Sequence, residues 1–278
     1  MTNDLNNLNP VKRRRGIYLL PNLFTTAALF SGFYAIVASM HGRFEPAAIA
    51  VFVAMVLDGL DGRVARLTHT ESEFGAQYDS LADMVSFGLA PSLVMYQWAL
   101  ASMADLGWVP AKLGWLAAFI YAACAGLRLA RFNAQIGSAD KRYFLGLPSP
   151  SAAAIMVGLV WVGDNLQWSG ERLVWLAFLI TVGTGVLMVS NILYISFKQV
   201  DLKGRVPFVA VLAVVLVFVF ASINPPVILW TTFVLYGLSG PVLALVRRRQ
   251  RARRRAMGLP EPQVEDDEVD KGNIDSER

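Results

Sequence analysis

The 278-residue chain reads as an all-α, polytopic membrane helix bundle of about eight transmembrane helices, with both termini cytoplasmic. Three observations lead there. Hydrophobic residues make up 55% of the sequence and the mean hydropathy is +0.46, with charge confined to a few segments. Apolar stretches of about twenty residues, the length a helix needs to cross the hydrocarbon layer, recur along most of the chain. With an even number of spans, only Arg43, Lys112 and Arg172 of the 25 Lys and Arg fall opposite the termini. Such a bias marks the basic-rich side as cytoplasmic.

In order, the spans are expected near 17–40, 46–67, 79–103, 113–132, 149–163, 173–196, 206–223 and 227–246. The first follows the basic run from Lys12 to Arg15 and shows no small-residue cleavage pattern, so it reads as a retained span rather than a signal peptide. The third helix is expected to start at Thr70, because Thr70-Glu-Ser-Glu73 fits a capping box. The fifth is short enough to be tilted or re-entrant, and Pro148 and Pro150 suit its start. The eighth runs into RRRQRARRR at 247–255, which either grips anionic headgroups, at roughly 1 kcal/mol per basic residue, or anchors the topology. Beyond it, 261–278 carries eight acids and no apolar periodicity, as in a disordered tail. Cys124 is alone in an apolar span, so neither a disulfide nor a cysteine metal site is indicated, and neither His41 nor His69 is given a role.

Against this apolar background stand Asp58, Asp61, Asp79 and Asp83. A carboxylate near hydrocarbon is costly unless compensated, so four in one neighbourhood require a reason. At about 100° per residue, Asp58 and Asp61 lie roughly 60° apart on one helix face. Gly62 and Ala65 continue that face and Arg66 lies one turn beyond Gly62, while Leu57, Leu60, Val64 and Leu67 form the other. Residues with almost no side chain leave room for a bulky ligand, and a guanidinium can pair with phosphate through two parallel bonds. Gly75, Asp79 and Asp83 recur every four residues on the next helix, so two antiparallel helices in contact would aim four carboxylates at one point. With no His or Cys nearby, all-oxygen ligation suggests two Mg²⁺ or Mn²⁺ ions clamping a diphosphate. Two other readings compete: surface acids paired with Arg63 and Arg66, and a cation or proton path. A path would scatter polar residues over several spans, whereas these four occupy one run.

The run also resembles a family signature, D-x₂-D-G-x₂-A-R-x₈-G-x₃-D-x₃-D, that of the CDP-alcohol phosphatidyltransferases, and agrees at every specified position. The resemblance implies an enzyme that displaces CMP from a CDP-linked lipid with an alcohol. It further implies a core of about six membrane helices, usually homodimeric, with the site facing the cytoplasm, here at a bacterial inner membrane. That core would cover 17–197, after a basic N-terminal segment at 1–16 and before two added helices at 198–247 and a basic-then-acidic tail at 248–278. Carried over by position, Asp58, Asp61 and Asp79 resemble metal ligands, and Asp83 a second-metal ligand that doubles as general base. Gly62, Ala65 and Arg66 resemble contacts to the cytidine diphosphate, with Ser72 joining them. Asn22, in Pro21-Asn-Leu-Phe-Thr25, resembles the start of the family's first helix and either borders the nucleotide or serves as an N-cap.

The signature does not name the alcohol. Arg128-Leu-Ala-Arg131-Phe-Asn133 and Gly146-Leu-Pro-Ser-Pro150 resemble segments of the family's bacterial and archaeal members that use serine. An amino-acid acceptor needs a cation for its carboxylate, which Arg128 or Arg131 could supply, with Asn133 adding polar contacts. Both arginines could instead snorkel at a helix end. The expected substrates are therefore CDP-diacylglycerol and L-serine, giving phosphatidylserine and CMP, with no nucleic acid partner. Glycerol phosphate or inositol phosphate as acceptor, with Lys141 and Arg142 as extra cations, and a divalent-cation transporter are the alternatives.

Overall fold

The computed structural model describes residues 19–68, 70, 72–134, 143–195 and 223–256. The expected N-terminal segment, Lys141 and Arg142, nearly all of the seventh span and the acidic tail lie outside these residues.

The first two helices form a hairpin. Helix α1 (Leu19–Met40) ends where Gly42 takes φ +70°, a conformation that favours glycine, and the Gly42 and Arg43 amides donate to the Ser39 and Ala38 carbonyls at 3.0 Å each. Helix α2 (Phe44–Thr68) then runs back along α1. Their seam is made of small residues, Ala28, Ala35 and Ala38 on one side and Ala47, Ala50, Val51 and Ala54 on the other, which lets the backbones approach closely. Ser31 crosses it, donating to the Ala50 carbonyl at 2.8 Å. The α2 stripe of Ala47, Ala50 and Ala54 steps by three and four residues, and the same stepping leads on to Asp58 and Asp61. The acids thus sit on the face that packs inward.

Thr70 does not start the third helix. Its amide donates to the Ala65 carbonyl at 3.0 Å and its hydroxyl lies 2.7 Å from that of Thr68, so it closes the end of α2. The N-cap is Ser72, whose hydroxyl accepts from the Gly75 amide at 3.0 Å, and α3 (Glu73–Asp83) begins one residue later. Directly after Asp83 the helix widens into a π turn, Met84–Leu89, before resuming as α4 (Ala90–Trp98). Two hydroxyls brace that turn: Ser86 donates to the Ala28 carbonyl at 3.1 Å and Tyr121 to the Phe87 carbonyl at 3.0 Å. Gly32 of α1 makes this approach possible, since a β-carbon there would stand 2.6 Å from the Ser86 hydroxyl. A 3₁₀ segment, Leu100–Leu106, bends away by 41° and leads into α5 (Trp108–Ala134).

Helix α6 (Ser149–Asn165) corresponds to the short fifth span expected from the sequence. It is the bundle's central post, packed by α2, α4, α7 and the last helix, with Ala152 through Val160 entirely buried. Pro148 is its N-cap residue and Pro150 lies in its first turn. The expected sixth span is shorter than its apolar run: α7 (Val174–Val189) stops at Ser190. Its last carbonyls are taken sideways, Leu187 by the Leu147 amide at 3.0 Å and Val189 by Arg131 at 3.1 Å, so helical continuation has no acceptors left to use. The chain instead forms strand β2 (Leu193–Ile195), antiparallel to β1 (Tyr143–Leu145), with Phe144 opposite Tyr194. Helix α8 (Pro225–Ala256) continues through the basic block to Ala256 rather than ending before it, consistent with the good helix propensity of arginine.

Among the described residues, three helices are long and apolar enough to cross a membrane (Leu20–Met40, Trp108–Ala134 and Pro225–Val246), and a fourth if the bent segment from Glu73 to Leu106 is one span. Helix α2 has the length but carries Asp58, Asp61 and Arg63 in its second half, and α6 and α7 have 17 and 16 residues. Large apolar side chains such as Phe30, Phe33, Val56, Leu127, Leu179 and Leu238 stand on the outside, as a surface in contact with hydrocarbon requires.

Candidate active site

The four aspartates converge. Ligand atoms of Asp58, Asp61 and Asp79 all lie within 4.8 Å of one another. The carboxyls meet across the gap in two pairs at hydrogen-bonding range, Asp61 with Asp79 and Asp58 with Asp83. Helices α2 and α3 themselves approach only sparsely. Each packs instead against α1, so the expected helix–helix contact is replaced by a cleft whose two walls share one support. Four ionised carboxylates at this range would repel strongly without a counter-charge. Every donor is a carboxylate oxygen, and no His or Cys joins the cluster among the described residues. This set fits a hard divalent cation such as Mg²⁺ or Mn²⁺.

Asp61 is only 4% exposed and accepts a hydrogen bond from the Thr25 hydroxyl at 2.8 Å, a hydroxyl that also lies 3.1 Å from the Pro21 carbonyl. Thr25 did not stand out as a site residue in the sequence, although it lies one helical turn beyond Asn22. Asn22 itself is inside the first turn of α1, so it is not that helix's N-cap. Its side chain points toward the α3 start: a β-carbon added to Gly75 would stand 3.1 Å from the Ser72 hydroxyl and 3.5 Å from Asn22 Oδ1. Asn22, Ser72 and Gly75 therefore form one corner of the cleft, and Tyr78 closes it by meeting Thr26 at 3.0 Å.

On the opposite wall Gly62 is exposed, and a β-carbon there would meet nothing within 4 Å. This is open space of the kind a bulky ligand needs. Ala65 is half-buried beside it, and Arg66 is exposed with its Nε donating to the Gly62 carbonyl at 2.9 Å. The guanidinium is thus drawn back along the small-residue face.

The three residues expected to hold an acceptor have different surroundings. Arg131 is engaged through both terminal nitrogens: it donates to the Leu145, Val189 and Met188 carbonyls at 2.8, 3.1 and 3.4 Å and to Asn191 Oδ1 at 3.3 Å, pinning the β-hairpin and the end of α7. Gly146 allows this junction, with φ +78° and no room for a β-carbon against the Met188 carbonyl. Asn133 donates to the Ser80 hydroxyl at 3.0 Å and so links α5 to α3 beside Asp79. Arg128 is 8% exposed, donates through Nη1 to the Ser149 hydroxyl at 3.1 Å, and leaves its buried Nε without a partner. Its charge lies within electrostatic reach of Arg131, then of Asp83, Tyr236 and Tyr121. A buried guanidinium with an open N–H beside the acid cluster can hold an anion.

A cleft of paired carboxylates, with a glycine-lined wall and a buried cation beside it, defines a phosphoryl-transfer centre of the kind the signature implied. The chain belongs to the CDP-alcohol phosphatidyltransferase family, whose domain matches residues 18–183, and it is an integral membrane protein. It is 36% identical over 234 residues to the CDP-diacylglycerol–serine O-phosphatidyltransferase of Helicobacter pylori (strain J99), covering 83% of this chain and 94% of that protein. Proteins of the same name in Mycobacterium bovis and Bacillus subtilis are 33% identical over 231 residues and 32% over 180. Those matches cover 80% and 65% of this chain, and 78% and 92% of the respective relatives.

Proposed function

We propose that this protein transfers the phosphatidyl group of CDP-diacylglycerol to the hydroxyl of L-serine, giving phosphatidylserine and CMP. The observation that carries the choice of acceptor is Arg128, a buried cation with an open N–H lying beside Asp83. An amino-acid carboxylate fits that donor. The names of the relatives support the same acceptor.

In this reading Gly62, Ala65 and Arg66 on one wall, with Ser72 and Asn22 at the corner, hold the cytidine diphosphate. Asp58, Asp61, Asp79 and Asp83 would hold two Mg²⁺ or Mn²⁺ ions, which when bound supply positive charge to the diphosphate. Thr25 fixes the Asp61 carboxylate by its 2.8 Å bond. Arg128 takes the serine carboxylate and turns the hydroxyl toward Asp83. Asp83 removes the hydroxyl proton, the serine oxygen bonds to the phosphorus on the diacylglycerol side, and the P–O bond to CMP breaks, CMP leaving with the electron pair. Asp83 lies outside the tight ligand trio and within reach of Arg128, which suits a base placed between donor and acceptor. Asn133 steadies α3 from the acceptor side, and Arg131 shapes the pocket by holding the hairpin. We further infer eight spans with both termini and the site cytoplasmic, a homodimer, and anionic lipids bound at the basic end of α8. The family core at 17–197 is followed by the added helices at 198–247.

The test is CMP release from CDP-diacylglycerol by purified protein with Mg²⁺ or Mn²⁺ and a panel of acceptors. Release that requires serine is expected. Release with glycerol phosphate or inositol phosphate but not serine would reassign the acceptor, and divalent-cation flux without CMP release would replace the enzyme by a transporter.

A further inference from the structure

The segment that carries Asp83 and the helix that carries Arg128 run antiparallel, and four contacts fix their register. Ser80 accepts a hydrogen bond from Asn133 at 3.0 Å. One turn on, the Met84 sulfur lies so that a β-carbon on Gly126 would stand 3.6 Å from it. A β-carbon on Gly88 would stand 3.3 Å from that of Ala125. Beside it, the Tyr121 hydroxyl donates to the Phe87 carbonyl at 3.0 Å. Numbers rising from 80 to 88 thus meet numbers falling from 133 to 121. Between the first two contacts this ladder brings Asp83 level with the turn of α5 that holds Arg128. The base and the acceptor cation face one seam, and their alignment is set by contacts that neither of them makes.

Two of the four contacts are hydrogen bonds, and Tyr121 makes the one that reaches backbone. Its side chain is entirely buried. It lands in the π turn, where the Ala90 amide reaches back five residues to the Val85 carbonyl instead of four. Such turns are rare and occur frequently at functional sites. Phe87 lies one helical turn beyond Asp83, and Tyr121 lies two turns before Arg128 on the same buried face of α5. Resting on the acceptor reading above, we propose that Tyr121 is a positioning residue whose hydroxyl sets the spacing between Asp83 and Arg128, and with it the length of acceptor the site accepts. An acceptor must place its carboxylate on the guanidinium and its hydroxyl on the acid at once. A fixed spacing therefore selects an amino acid whose hydroxyl is on the β-carbon. Ser86 braces the same turn, but its hydroxyl goes to the Ala28 carbonyl of α1, so it holds the turn to the support of the cleft and not to the helix of Arg128.

The experiment measures CMP release by wild type, Tyr121→Phe and Ser86→Ala with serine and with homoserine, whose hydroxyl lies one carbon further from the carboxylate. CDP-diacylglycerol is titrated separately. Wild type should favour serine in kcat/KM. In Tyr121→Phe, which keeps the ring and removes only the hydroxyl, that preference should narrow about three- to tenfold, the range of one lost neutral hydrogen bond. The CDP-diacylglycerol KM should stay within twofold of wild type. Ser86→Ala loses a bond of the same kind and should lower the Tm as Tyr121→Phe does, yet keep the preference for serine. An unchanged preference in Tyr121→Phe, an equal narrowing in Ser86→Ala, or a wild type that uses homoserine as well as serine would overturn the role of Tyr121 while leaving the enzyme's assignment intact. No serine-dependent CMP release in the wild type would remove the acceptor reading itself. If Tyr121→Phe fails to fold, Gly88→Ala decides. Its β-carbon presses on Ala125 and on the Met84 sulfur 3.0 Å away, shifting the turn against α5 with the phenol intact. It should narrow the preference too, and an unchanged preference there would equally overturn the inference.

Discussion

Replacing Asp83 with Asn should move stability and activity in opposite directions. The carboxyl of Asp83 meets that of Asp58 at hydrogen-bonding range, with Asp61 and Asp79 beyond it. Two unit charges about 4 Å apart repel by up to about 4 kcal/mol at an effective dielectric near 20, less where the two carboxyls share a proton, and the neutral amide, able to donate to Asp58, removes that repulsion in the metal-free protein. Its volume is nearly unchanged and the trio of Asp58, Asp61 and Asp79 is left whole. The Tm of Asp83→Asn in chelator should therefore equal or exceed that of wild type, and CDP-diacylglycerol should still bind. Turnover should nonetheless fall by roughly 10²–10⁴, the range for loss of a positioned general base. The assay is serine-dependent CMP release alongside thermal unfolding of the same detergent preparation. Turnover within threefold of wild type in a folded variant would refute the role of Asp83, and a lower Tm in chelator would refute the repulsion argument.

Gly62→Leu places a side chain in the open wall of the cleft, so its CDP-diacylglycerol KM should rise at least tenfold with Tm unchanged, as read from donor titrations. Arg131→Ala strips four acceptors of their donor; it should lower the Tm by several degrees and leave the serine KM of surviving enzyme near normal, the reverse of what Arg128→Ala should do. Chelation should abolish CMP release and also lower the Tm of the wild type, since four facing carboxylates lose their counter-charge; re-addition of Mg²⁺ or Mn²⁺ should restore both.

The acids were legible because their chemistry and their spacing agree. Asp58 and Asp61 continue an alanine stripe that must pack inward, and carboxylates on such a face call for a cation whatever the partner helix does. The capping box at Thr70 misled because Thr68 and Thr70 together finish α2, and Ser72 offers an equally good cap two residues later. Arg128 and Arg131 have the same side chain three residues apart, and nothing local distinguishes them. What separates them is a strand pair joining residues fifty positions apart, and that pairing left no periodic signal in three-residue strands. Thr25 was hidden for a similar reason, since its partner Asp61 is 36 residues away. The apolar run into 196 overstated α7 because hydropathy cannot report that a helix's last carbonyls are claimed from the side.

The π turn at Met84–Leu89 sets the phase between two halves of one rod. Below it α4 must turn Ala90, Val94 and Met95 into the core; above it α3 must turn Asp79 and Asp83 into the cleft. A regular helix keeps both faces in one fixed angular relation, and one added residue shifts that relation by about 100°. These acids could thus have been aimed by a change in length alone, without altering any residue that packs the bundle. Conversely, a single-residue deletion within 84–89 would preserve every ligand in the sequence and still point the upper pair of acids at the wrong neighbours.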